Sequence, residues 1–565
     1  MACLYVRRVP ILMVASFSAL ASGLACAAEA TPLAVKIDVD VAQSTGPLPA
    51  IWRFFGADEP NYATMKDGRK LLGELGALAP DHVYFRAHNL LTSGDGTPAL
   101  KWGSTDVYHE DAQGRPTYSW TILDRIFDTY RARRIRPYVE IGFMPEPLSR
   151  APAHYATEWH PGLDFKDLGI GWTQPPKDYD KWRELVYQWA RHCVERYGAA
   201  EVEQWYWETW NEANIPYWSG TEEEFFKLHD YAIDGVRRAL PTARVGGYDA
   251  AGDGGKFTAD WLRHITQGTN YATGKIGTPT DFLSFHSKGK PEFVDNHLRL
   301  GISNHLQTVD RAFGIIAGFP ELANRPIIIG ESDPDSCAAC LGPQFGYRRS
   351  TLYSSYTAAV IPRLLGLAHR HGLHLDGAVT WAFEFEDQPY FVGFRSLSSN
   401  GLPLPVLNVF RLFSRMSGDQ IAVASSGERP LEEITAQGVR GPNPDVSAVA
   451  ARDGKKITVL VWYYFDDDVP LPDAAIDLQI RGLPVESSNA HVTQYRIDGE
   501  HSNAYTAWQR MGSPVAPNNS QYAELERAGE LATMGPAGTV AVASGTTTLH
   551  VDLPRSGVAL FVVEP

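Results

Sequence analysis

At 565 residues the chain is longer than one ordinary domain, and its composition, 44% hydrophobic and 21% charged, is that of a globular protein. A net charge of −15 argues against nucleic acid as a partner, because phosphate binding needs clustered Lys and Arg, and it fits an anionic membrane surface poorly. The 15 Trp and 25 Tyr supply core and also the amphipathic rings that suit flat, half-polar ligands such as sugars.

The first element reads as a leader. Arg7 and Arg8 precede the apolar run ILMVASFSALASGLA (11–25), which is short for a membrane span, and the small residues of ACAAEA (25–30) fit cleavage after Ala27. Residues 1–27 are therefore expected to be a signal peptide. The mature protein is expected to be exported, to the periplasm or the medium, with no membrane attachment beyond that cleaved segment. Within 28–50, LAVKIDVDVA (33–42) has a strand pattern and is expected to join a later β domain.

From 51 to 400 short apolar strands alternate with amphipathic helices. The strands are WRFFGAD (52–58), HVYFRAHN (82–89), RPYVEIGF (136–143), EQWYWETWNE (203–212), ARVGGYDA (243–250), DFLSFHS (281–287), RPIIIGES (325–332) and GAVTWAFEF (377–385). Helical spacing is plain in 119–134 and 180–198, and in 221–240, which opens with a Thr221/Glu224 capping box and stops before Pro241. Eight strand–helix units predict a (β/α)8 TIM barrel of the α/β class. A doubly wound sheet would need a Gly-rich phosphate loop after its first strand, and none follows. From 401 to 565, KKITVLVWYYF (455–465), AAIDLQIRGL (474–483), AHVTQYRIDG (490–499), TTLHVDL (547–553) and GVALFVVEP (557–565) read as strands joined by turns without intervening helices, which predicts an antiparallel β-sandwich.

Without the leader three cysteines remain. Cys193 sits on the apolar face of 180–198 and reads as core. Cys337 and Cys340 form CAAC; a short-loop disulfide, free thiols and a redox pair are its readings, in that order. HRHGLH (369–374) follows a helical run and reads as histidines at a helix C-terminus, not as a metal tract.

A barrel builds its active site where strands end. Glu212 stands at the end of the fourth strand and Glu331 at the end of the seventh, so the two can meet across the barrel mouth. Two such carboxylates are what glycoside hydrolysis needs: one protonates the departing oxygen, and the other attacks the anomeric carbon or activates water. Glu208 lies on the same strand face, about 13 Å further down. There it reads as a buried structural group paired with Arg86.

The motifs WETWNEAN, FRAHNLL, DFLSFHSKG, IIIGESDP and HSNAYTAWQRMGSP, in this order from about residue 50 to the C-terminus, resemble glycoside hydrolase family 39, the β-xylosidase and α-L-iduronidase family. Ala213 departs from the family, which has Pro there. The resemblance implies a barrel with a β-sandwich, retention of anomeric configuration, and no metal or organic cofactor. It implies that Glu212 is the acid/base, Glu331 the nucleophile and Asn211 the ligand of the sugar 2-hydroxyl, with His88, His286 and Trp381 in the pocket. To serve as acid, Glu212 must hold a proton at working pH, and Glu331 must be ionised to attack.

The carbohydrate substrate has two readings. An exported member resembles the β-xylosidases. DFLSFHSKG and GESDPD are closer to the α-L-iduronidase branch, in which cations matching Lys288 and Arg395 contact the sugar carboxylate. Glu386 is a further substrate-binding candidate; with Asp387 it is also the alternative, surface partner of those two cations. A retaining, exo-acting β-D-xylosidase is the first expectation and a uronide-specific enzyme the second. A third reading, from another class, is a non-catalytic carbohydrate-binding protein on an inactivated barrel; retention of both carboxylates and Asn211 argues against it.

Overall fold

The computed structural model describes residues 31–565 apart from 99, 101, 153–170 and 485–486, so the expected leader lies outside the described residues. The eight apolar runs form eight parallel strands: Phe54–Ala57, Val83–Ala87, Ile135–Ile141, Tyr206–Thr209, Arg244–Gly246, Leu283–Lys288, Ile327–Asp333 and Leu375–Thr380. They pair in sequence order, the first also pairs with the eighth, and bridges Gly246–Phe282 and Ala250–Phe285 close the ring between the fifth and sixth. The fold is a TIM barrel carrying a β-sandwich.

The period-two alternation of the strands fills the barrel in layers. Phe54, Tyr84, Tyr138, Tyr206, Phe282, Ile328 and Val379 form one buried cluster with Trp381. Two residues further along, the same faces carry Gly56, Arg86, Glu140, Glu208, Gly246, Ser284, Gly330 and Trp381. An apolar floor thus lies directly beneath a charged storey. Gly56 is required by this packing, because a Cβ there would stand 2.3 Å from the Trp381 ring.

The helices follow their sequence signals. Tyr179–Tyr197 is capped by Asp178, and Glu222–Ala239 opens with the Thr221/Glu224 capping box. Cys193 is buried on the inner side of the former.

Strand Leu33–Pro47, which precedes the barrel in the chain, joins the C-terminal sheet, antiparallel to Asp419–Ser425 and parallel to Ala474–Arg481. That parallel pair departs from the expected antiparallel order, and the other pairings of the sheet are antiparallel. The sheet folds over a core of its own, in which Val35, Ile37 and Val39 meet Val459, Val461 and Phe561. The opposite face of Lys456–Tyr464, with Leu460, Trp462 and Tyr464, joins the barrel core. There Arg363, on barrel helix Thr351–His371, donates to Asp445 at 2.6 Å and lies 4.8 Å from the centre of the Trp462 ring.

Helices do interrupt this domain: Leu431–Gln437, Ala504–Arg510 and Asn519–Gly529. The last two are started by Asn503 and Asn518, whose side chains accept from backbone N–H groups two or three residues on. Among the described residues no helix is long and apolar enough to cross a membrane.

Candidate active site

The strand ends converge on a pocket of about 370 Å³ lined by Asp58, His88, Asn211, Glu212, Tyr217, Lys288, Glu331, Trp381 and Arg395, among others. Each carboxylate is aimed by local backbone. Glu212 lies three residues past the end of its strand, not within it. It adopts φ +49°, and Trp210 before it φ +71°. Such left-handed geometry costs on the order of 1–2 kcal/mol per residue outside glycine. Fixed partners hold it: the Glu212 N–H donates to the Asp249 carbonyl at 2.9 Å and the Trp210 N–H to the Ile141 carbonyl at 3.1 Å.

Glu331 is aimed by a register shift. Ile329 pairs with Phe285 but Glu331 with His286, so Gly330 is an extra residue against the sixth strand. The bulge turns Glu331 to the face that strict alternation would give to Gly330.

His286 joins the two carboxylates. Its Nδ1 is 2.8 Å from Glu212 Oε1 and 3.8 Å from Glu331 Oε1. The nearest oxygens of the pair are therefore no further apart than those two lengths laid end to end. A clear bend at the nitrogen brings these oxygens below the roughly 6.5 Å at which inverting spacing begins.

Glu331 also receives Lys288 Nζ at 2.7 Å and has His88 Nε2 at 3.4 Å. Burial pushes its carboxyl up, but His286, Lys288 and His88 outweigh burial and hold it well below the usual carboxylate range. The histidines go the other way. Burial would lower them, yet Glu140 beside His88 raises that ring to about 9, and Glu331 and Asp249 raise His286 to about 10. The surrounding carboxylates thus favour the imidazolium form of both rings at neutral pH.

Arg86 ties the layer together. It is fully buried and contacts Glu208, Glu140 Oε2 at 2.9 Å, Asp249 Oδ2 at 2.9 Å and Asn211 Oδ1 at 3.1 Å. Asn211 is thus oriented with its carbonyl to Arg86 and its amide nitrogen left for another partner. Glu208 is the structural group of this storey, taking Tyr138 Oη at 2.7 Å as well. Burial and the Asp249 charge push Glu208 well above the carboxylate range, while Arg86 and His286 overcome burial to hold Asp249 at about 2. Burial thus favours the protonated form of Glu208, and Arg86 and His286 favour the anion of Asp249.

Trp381 packs 4.4 Å from the His88 ring centre and donates from Nε1 to Asp58 at 3.2 Å. Lys288 and Arg395 both reach the pocket, but neither pairs with Glu386 or Asp387. Lys288 is shared between Glu331 and Asp333 Oδ2, the latter at 2.5 Å. Arg395 is buried against Asp335 Oδ1 at 2.6 Å and Asp333 Oδ2 at 3.4 Å. Glu386 is not brought to the pocket: its Oε1 accepts from the N–H groups of Asp67 and Gly68 and caps helix Lys66–Leu78.

Cys337 and Cys340 form a disulfide in the loop after Glu331. Buried Arg348 donates to the carbonyls of Cys337 and Cys340, each at 2.6 Å, so the loop that presents Ser336 and Ala338 to the pocket is fixed from behind. Sequence reasoning did not single out Asp58, Glu140, Tyr217, Asp249, Asp333 or Asp335. Asp58, Asp249 and Asp333 carried a usable signal, a carboxylate at a strand end. Tyr217, Glu140 and Asp335 carried none apart from the fold.

The Glycosyl hydrolases family 39 model matches residues 35–543. The chain is 25% identical to a β-xylosidase of Caldicellulosiruptor saccharolyticus, over 88% of this chain and 92% of that protein. It is 27% identical to the α-L-iduronidase of Mus musculus, over 93% and 81% respectively. The crystal structure of a monomeric β-xylosidase from Caulobacter crescentus CB15 superposes with a TM-score of 0.72 at 20% identity, covering 94% of this chain and 99% of that one; this likeness shows the fold. With the family model spanning most of its length, the chain belongs to glycosyl hydrolase family 39 and is a glycoside hydrolase.

Proposed function

We propose that the protein is a retaining, exo-acting β-D-xylosidase that releases xylose from xylo-oligosaccharides. The observation that carries this reading is the shared contact of Glu212 and Glu331 with His286 Nδ1. Glu331 attacks the anomeric carbon as the bond to the leaving oxygen breaks, and Glu212 gives that oxygen its proton. Glu331 then carries the sugar as an ester and has lost its charge. Glu212, now a carboxylate, takes a proton from water as the water displaces Glu331. Asn211 is placed to bind the 2-hydroxyl, and His88 and Trp381 to wall the ring. A pocket rather than an open cleft supports removal of terminal units.

Charge matching supports a neutral sugar. Lys288 and Arg395 already face Glu331, Asp333 and Asp335, so a uronic acid would bring a further anion to compensated cations. The uronide reading retains one observation, that both cations line the pocket. Aryl β-D-xyloside, α-L-arabinoside and α-L-iduronide substrates test it: kcat/KM should be highest on the xyloside, and a preference for the iduronide would overturn the assignment. Export through a leader ending at Ala27 belongs to the same proposal, supported by the leader pattern and by a disulfide suited to an oxidising compartment.

A further inference from the structure

Asp249 follows the fifth barrel strand at φ +45° and is fully buried. It does not line the pocket, yet it touches the supports of both proposed catalytic carboxylates. Its carbonyl accepts from the N–H of Glu212, the residue in strained left-handed backbone. Its carboxylate Oδ2 is 3.6 Å from His286 Nε2, and the other nitrogen of that ring faces Glu212 Oε1 at 2.8 Å. The bulge residue next to Glu331 leaves room for it: a Cβ on Gly330 would stand 2.0 Å from Asp249 Oδ2. The charged and titratable groups facing Asp249 are Arg86, Glu208 and His286, with the neutral phenols of Tyr138 and Tyr248 beyond them.

We propose that Asp249 is the positioning residue of the acid/base: its carboxylate keeps His286 turned with an N–H toward Glu212 Oε1, and its carbonyl pins the Glu212 backbone, so that the transferable proton stands on Oε2. The chemistry follows from the two nitrogens of the ring. The Asp249 anion stands at ion-pair distance from Nε2, beyond a hydrogen bond, and its charge favours the imidazolium; such a ring can only donate at Nδ1, so Oε1 accepts and cannot be the protonated oxygen. A neutral ring protonated at Nε2 would instead accept at Nδ1 and draw the Glu212 proton onto Oε1, away from the leaving group. Orientation of a working histidine by a buried carboxylate is a general device. Here the group served is a carboxylic acid, and the same residue also fixes that acid's main chain.

The inference rests on Glu212 being the acid/base, so Glu212→Ala runs beside it. Asp249→Asn keeps the shape and the backbone carbonyl but removes the charge. On 2,4-dinitrophenyl β-D-xyloside, whose leaving group needs no proton, kcat/KM should fall by no more than about tenfold, the share that weaker support of Glu331 by His286 accounts for. On methyl β-D-xyloside it should fall roughly 10²-fold, the lower end of what general acid catalysis supplies. Equal losses on both substrates, or none on either, would overturn the inference. If Glu212→Ala itself lacks the leaving-group dependence, the acid/base assignment fails instead. A second measurement does not depend on the variant folding: in the unmodified protein the His286 ring, read by ¹⁵N NMR and assigned with His286→Gln, should carry both protons at pH 7. A neutral ring there would also overturn it.

Discussion

Lys288 Nζ lies 2.7 Å from Glu331 Oε2, and this ion pair is one of four positive contacts, with His88, His286 and Arg86, around the proposed nucleophile inside a buried pocket. Lys288→Met should remove part of that support. The carboxyl of Glu331 would rise, and the acid limb of kcat/KM should move up by about one pH unit, since one close opposite charge lowers a carboxyl by about that much or more. A pH–rate profile reads it; an unmoved limb would show that Lys288 pairs with Asp333 alone.

The same charges set how stability varies with pH. His88 and His286 have folded values of about 9 and 10, above the ordinary value near 6.5. Their contribution is complete below that ordinary value and is lost as pH rises through 9 to 10. Glu331 and Asp249 are depressed, so they stabilise above the ordinary carboxylate range and lose that contribution as pH falls. Urea unfolding should therefore show stability dropping between pH 7 and pH 10, by at most about 1.4 kcal/mol per pH unit for each histidine. His286→Gln should flatten part of this slope; an unchanged slope would mean that His286 is neutral in the folded state.

Arg86 is the keystone of the charged storey. Arg86→Met leaves Glu140, Asp249 and Glu208 without their shared cation, and removing one partner of a buried charge cluster costs about 3–5 kcal/mol. Arg86→Lys should restore little, because a single ammonium cannot reach carboxylates placed around a planar fork. Chemical denaturation measures both variants, and a loss under 1 kcal/mol for Arg86→Met would refute the assignment.

Thiol titration of the denatured, unreduced protein, freed of residues 1–27, should find one free thiol, Cys193, because Cys337 and Cys340 are joined. Finding three would contradict the disulfide. Cys337→Ser should raise KM more than it lowers kcat, since Ser336 and Ala338 border the pocket while the carboxylates stand on their own strands.

What the sequence disclosed, and what it hid, divides along physical lines. The barrel strands are dense apolar runs, so their pattern was plain. Strand Asp445–Asp453 reads DVSAVAARD, rich in alanine and short of β-branched residues, and it passed unnoticed beside its partner KITVLVWYY. The helices that start at Asn503 and Asn518 are 7 and 11 residues long, too short for a clear helical period. The residues of the pocket were legible where a motif fixed them, as for Glu212, Glu331, Asn211 and His88, whereas His286, expected in the pocket, is buried beside the two carboxylates and does not line it. Glu386 was misplaced because its partners, the N–H groups of Asp67 and Gly68, belong to a helix more than 300 residues away in the chain. Arg395 similarly finds Asp335 only through the closure of the barrel. The left-handed turn at Glu212 follows from no local propensity and is held by the Asp249 carbonyl.

The most direct test of the central assignment is azide rescue of two variants on an aryl β-D-xyloside with a good leaving group. Glu331→Ala should lose turnover, because no other group forms the glycosyl-enzyme. Azide should restore it with inverted product, since the anion attacks from the vacated face. Glu212→Ala should keep the first step and accumulate the intermediate, and azide should give retained product; on natural xylosides it should lose roughly 10²–10⁴-fold. Inverted product from Glu212→Ala and retained product from Glu331→Ala would reverse the two roles, and full activity in both would place the chemistry outside this pocket.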